Sequence, residues 1–237
     1  MPTCVGITVV KKKPDAILQN LSFDTRCASN KPLERGPGTR EMLSSAILFI
    51  KSQFPWVNRL ILSDFSTIHC GSKKIPLSDF SFLIHQQTWY ERYFNAKPLA
   101  YEKEYNALKE TYANTVWTPQ DWPYLWAQYF KNFNLPKRTV SNLFKSYPKA
   151  TDFFWNINER YKCEPFKDLF QHDFHFLSLL NMDMKRLDGN DWWIPMPTEL
   201  PTWFIPETVD AIPDIAWSSR VSTGPKWLGG KWIYPKK

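Results

Sequence analysis

The sequence predicts an α/β protein: a mixed sheet with flanking helices, then a helical aromatic-rich region, then an extended Trp/Pro-rich tail. Three observations predict it. Short β-branched and apolar runs alternate with helix-period segments up to about residue 98. Aromatic stripes recur at helical spacing through 99–186. Regular periodicity then stops, and Trp and Pro interleave through 187–237. The expected organisation is therefore 1–98, 99–186 and 187–237, with the second part packed on the first.

The elements follow in order. Val5 to Val10 is a β-branched run, and a second extended segment lies around Ile17–Phe23. A loop carrying Arg35-Gly36-Pro37-Gly38-Thr39 leads into a helix, with Thr39 in position to cap it. Leu43, Ala46, Ile47, Ile50 and Phe54 give that helix one apolar face, and Pro55 stops it. Arg59 to Asp64 reads as a short apolar strand. A strand, loop, helix and strand in this order favour neighbouring parallel strands. After a turn around Gly71–Lys74, Ser78 is a candidate cap for a helix running to Asn95 and Pro98. Four further stripes follow: Tyr101, Tyr105, Leu108 and Tyr112; Trp122 to Phe133; Phe153 to Tyr161; and Phe166 to Leu177. Such stripes form core more often than binding surface. In the tail, Trp192, Trp193, Trp203, Trp217, Trp227 and Trp232 stand among prolines dense enough to forbid long helices and central strands. So much apolar ring surface in an extended segment implies a strap packed on its own domain or on a partner.

Composition narrows the function classes. An apolar fraction of 43% over 237 residues suffices for a core. The net charge of +7 favours acidic proteins, nucleic acid or anionic cofactors as partners, although Lys and Arg are scattered, with tight runs only at Lys11–Lys13 and Lys236–Lys237. Cys4, Cys27, Cys70 and Cys163 form no C-x-x-C pair and do not resemble a disulfide scaffold, so a reducing intracellular compartment is the simpler expectation. No signal peptide or membrane span is legible.

One constellation suggests chemistry. A glycine-rich turn opening a helix directs free N–H groups and the positive end of the helix dipole at an anion. Arg35-Gly36-Pro37-Gly38-Thr39 has that form, and Trp89-Tyr90-Glu91-Arg92-Tyr93-Phe94 follows one strand and one helix later. Over roughly Leu21 to Pro98 this arrangement resembles the cofactor-binding half of the GNAT acetyltransferase family. The resemblance implies acetyl-CoA as cofactor, with Arg35, Gly36, Gly38, Thr39 and Arg40 around its pyrophosphate and Tyr90 as the acid that protonates the leaving thiolate. Two features depart from the family pattern. Arg40 replaces a small residue, and Pro37 removes a backbone donor. Little sequence precedes the loop to build an acceptor site, and no general base stands out, Asp24 and Glu34 being the nearest carboxylates. Asp64 to Cys70 and Thr88 to Glu91 also resemble segments of proteins from large DNA viruses, which would place the chain in a virion or in host cytoplasm or nucleus.

Other candidates are weaker. His172 and His175 stand at i and i+3 without a third ligand nearby, so no metal site is expected. His69 and Cys70, adjacent in an extended segment, point to opposite faces and make no dyad, and Cys70 reads as a small core residue. The preferred expectation is a non-catalytic structural or assembly protein, binding protein partners through its tail and nucleic acid through its basic surface, without a membrane. The alternative is an acetyl-CoA-dependent N-acyltransferase.

Overall fold

The structure, a computed structural model, describes residues 5–21, 37–171, 191–199, 226–228 and 231–233. It is a mixed α/β fold around one five-stranded sheet in the order β1-β2-β3-β7-β6. Strand β1 (Val5–Val9) pairs antiparallel with β2 (Asp15–Leu21), with an irregularity between Gly6 and Ile7. Helix α1 (Pro37–Gln53) crosses from β2 to β3 (Arg59–Ser63), and β2 and β3 run parallel, as the order of elements predicts. Leu43, Ile47 and Ile50 of α1 are buried with Ala16, Leu18, Leu60 and Leu62 of those strands.

Helix α1 begins earlier than expected. Thr39 lies in its first turn rather than at the cap, because Pro37 already occupies helical geometry. The fixed φ of proline suits a first helical position, where its missing N–H costs nothing.

A hairpin of β4 (Thr67–Cys70) and β5 (Lys73–Pro76) follows, turning at Gly71 with φ +60°. A side chain there would be strained by that backbone, and its Cβ would lie 2.8 Å from Glu164 Oε1. The hairpin is tied to the C-terminal helices by a disulfide between Cys70 and Cys163 and by a Lys73–Asp168 ion pair at 2.7 Å. The disulfide departs from the sequence expectation, which treated Cys70 as an apolar filler. Cys70 is fully buried, but it is also bonded across 93 residues.

The single helix expected between Ser78 and Asn95 is two. Helix α2 (Leu77–His85) is capped by Pro76 rather than Ser78 and ends at Gln86 in left-handed geometry. Helix α3 (Trp89–Phe94) restarts on Thr88, whose hydroxyl accepts from the Glu91 N–H at 3.3 Å, and it ends at Asn95 as expected. The short strand β6 (Lys97–Pro98) joins the sheet edge.

Helices α4 (Glu102–Asn114), α5 (Trp122–Gln128), α6 (Lys137–Ser146) and α7 (Ala150–Tyr161) then pack an aromatic core against the sheet. Trp117 stacks on Phe144 at 5.8 Å, Phe130 meets Phe153 at 5.0 Å, and Phe82 stacks on Tyr112 at 5.8 Å. Offset and edge-to-face pairs add to simple burial. Tyr101 and Tyr161, at the ends of two predicted stripes, are exposed instead. Phe174 and Leu177 lie outside the described residues.

Strand β7 (Asp191–Pro195) differs most from the sequence reading. It sits between β3 and β6, antiparallel to both, with Trp192 and Ile194 buried. The tail therefore begins by completing the sheet. Pro195 occupies the last strand position and Pro197 lies beyond it, so neither ring interrupts the ladder. Farther on, β8 (Lys226–Leu228) and β9 (Lys231–Ile233) form a small antiparallel pair; the rest of the tail reading lies outside the described residues.

Candidate functional site

Among the described strands, the ladder of the central parallel pair stops short. Strands β2 and β3 pair only over Asp15–Ile17 and Arg59–Ile61. In that register Leu18 would next face Leu62 and Gln19 would face Ser63, but the ladder stops. Both strands continue with their outer neighbours. Val5 pairs with Leu21 on one side, while Leu62 and Ser63 pair with Trp192 and Asp191 on the other. The sheet thus divides at the C-terminal ends of its parallel pair into a β1–β2 half and a β3–β7–β6 half.

Open α/β sheets bind ligands at this end, where connecting helices present their N-termini. The connecting helix here is α1. Its first turn holds no acidic residue. Of the five predicted cofactor residues, Arg35 and Gly36 lie outside the described residues. Gly38 and Thr39 belong to the first turn of α1, and Arg40 is exposed on it.

The structure brings the two motif halves together. The Arg40 guanidinium lies 5.4 Å from the ring centre of Tyr93 on α3, and Arg92 lies at the same distance from that ring. A cation over an aromatic face is favourable. The contact docks the first turn of α1 on the Trp89–Phe94 helix.

Tyr90 points inward. It is 7% exposed, with its ring edge-on to Trp89 at 5.0 Å. Burial, followed by the negative charge of Asp64, pushes its phenol well above the ordinary tyrosine range. Asp64 is fully buried directly after β3, where it accepts from the Ser66 N–H at 3.0 Å and from the Ser66 hydroxyl. Glu91 accepts from the Tyr105 hydroxyl and from Lys109 Nζ at 2.6 Å. The Tyr-Glu pair therefore has local structural work: Tyr90 fills the core behind α3, and Glu91 holds α4 against it.

Three residues escaped the sequence reading. Asp64 marks the end of β3 and was legible only as the polar residue closing an apolar strand. Arg92 and Tyr93 lie inside the quoted motif, and their meeting with Arg40 depends on the fold. His172 and His175 lie outside the described residues, and among the described residues no three His, Cys, Asp or Glu side chains converge as a metal site. No described helix is long and apolar enough to cross a membrane.

Comparison with protein families, curated proteins and solved structures gives no match for this chain.

Proposed function

We propose that the α/β part is a GNAT-like acyl-CoA-binding domain, holding its ligand in the opening between β2 and β3 with the pyrophosphate toward the first turn of α1. The observation that carries this reading is the arrest of the β2–β3 ladder while both outer ladders continue. Parallel strands that part in this way can admit an extended, amide-bearing arm such as that of coenzyme A. The acid-free first turn of α1 and the exposed Arg40 supply the cationic end.

Binding has more support than catalysis. A thiolate accepts a proton readily only from an acid of comparable or lower pKa, and a thiol titrates near ~8.5. Burial beside Asp64 makes Tyr90 a far more reluctant donor. In this reading Tyr90 is part of the core behind α3, and N-acyl transfer would need a base that the described residues do not identify.

Hydrogen exchange with and without acetyl-CoA tests the location. Amides of Gly38–Glu41 and of Leu18–Leu21 should exchange more slowly with ligand bound. Protection confined to the helical region, or no protection at saturating ligand, contradicts the reading.

The structural or assembly role remains a second proposal, with partners held through residues beyond Glu199 and no part for the opening. Exposed aromatic side chains favour it, including Trp155 at 46% and Tyr124 at 58% exposure.

A further inference from the structure

Although Lys and Arg are scattered through the chain, one described stretch carries cations without acids. Between Asp121 and Asp152 the sequence contains no carboxylate, yet it carries Lys131, Lys137, Arg138, Lys145 and Lys149. All five are exposed. Ion pairs among the described residues lie elsewhere, at Arg59–Asp15, Lys73–Asp168, Lys97–Glu102, Lys109–Glu91 and Lys167–Glu164.

Helix α6 organises these charges. Val140, Leu143 and Phe144 are buried on its inner side. Arg138, Asn142 and Lys145, all exposed, share the outer side, and the exposed Lys137 stands on the adjoining flank toward α5, all within about 12 Å of helix length. The two N-terminal cations oppose the helix dipole. No acidic residue stands in that first turn, and Pro136 provides no side-chain cap. Helix stability therefore gives no reason for Arg138 to be there, and such an inconsistency points to function. Beside them, Lys137 Nζ lies 5.1 Å from the Trp126 ring centre, and Tyr124 is exposed on the same neighbouring helix, α5.

We infer that the outer face of α6 and its flank toward α5 form a nucleic-acid-binding surface, with Arg138, Lys145 and the flanking Lys137 on backbone phosphates and the α5 aromatics at its edge. A protein surface usually carries both signs of charge and is met by a mixed face. A helix that carries cations and no carboxylate suits a ligand whose charges are all negative at regular spacing. The inference does not depend on the acyl-CoA reading, since α6 carries none of the residues of the β2–β3 opening.

The test is fluorescence anisotropy of the full chain with labelled single-stranded and duplex oligonucleotides of ~20 nucleotides, between ~50 and ~200 mM salt. The natural chain should bind at low salt and weaken steeply as salt rises. Lys137→Gln/Arg138→Gln/Lys145→Gln should weaken binding at least about tenfold and flatten the salt slope by about three. A control, Lys11→Gln/Lys12→Gln/Lys13→Gln, removes the same charge from the exposed β1–β2 turn and should change affinity less than about threefold. Circular dichroism checks that both variants fold, and the single variant Lys137→Gln should give an intermediate loss. Absence of binding at low salt overturns the inference. Equal loss in both triple variants also overturns it, because net charge rather than this face would then be responsible. Displacement by polyglutamate as readily as by unlabelled oligonucleotide overturns it in favour of an acidic protein partner.

Discussion

Tyr90, Tyr105 and Tyr112 are the residues on which chemistry and architecture compete, and burial decides among them. Burial is the largest influence on each phenol; the Asp64 charge adds to it at Tyr90, the Glu91 hydrogen bond at Tyr105 and the Asp152 charge at Tyr112. All three are pushed above the ordinary range. In the unfolded chain they ionise near ~10, whereas in the folded chain they keep their protons. Their neutral form thus contributes stability that is intact below about pH 10 and lost as pH rises through the folded values. A spectrophotometric titration should find these phenols silent until the protein unfolds, and the denaturant midpoint should fall between about pH 9 and 11. Titration of every tyrosine near ~10 with an unchanged midpoint would refute their burial.

Among elements, β7 shows how far local signals reach. Its prolines and its position in a Trp-rich segment led the sequence reading to exclude a central strand, yet Trp192 and Ile194 face the core there. The ladder tolerates Pro195 only because of where the strand ends, and no local pattern records that. The amphipathic face of α1 was legible because Leu43, Ile47 and Ile50 recur at helical period. The start of α1 was misread because Pro37 and Thr39 both fit a helix entrance. The break between α2 and α3 was hidden because Gln86 adopts left-handed geometry without a glycine to announce it. Within the candidate site, the two motif halves were legible as sequence, but their contact through Arg40 and Tyr93 was not. The acid-free character of α6 was missed because runs of Lys and Arg draw attention, whereas an absence of Asp and Glu does not. β7 also yields a prediction. A chain ending before Asp188 loses a strand of the sheet and should unfold without cooperativity. A chain ending at Glu199 keeps β7 and should unfold cooperatively, as measured by urea denaturation. Under the assembly reading this shorter chain should also lose its oligomeric state or partner; a folded, shorter chain with unchanged association would exclude the distal tail as the docking segment.

At the scale of the whole molecule, one aromatic core joins the sheet to the helical region, and the Cys70–Cys163 bond and the Lys73–Asp168 ion pair fasten the hairpin to the same region. Among the described strands the β2–β3 ladder stops while the ladders on either side run on, and the central claim is that this opening binds an acyl-CoA. Calorimetry with acetyl-CoA on the natural chain and on Gly38→Asp is the most direct measurement. An acidic residue in a first helical turn is favourable to the helix, so the variant should fold, while its charge and bulk oppose a pyrophosphate. The account predicts binding in the micromolar range, about −8 kcal/mol, weakened at least tenfold in the variant. No heat at millimolar acetyl-CoA, or equal affinity in both proteins, would contradict it.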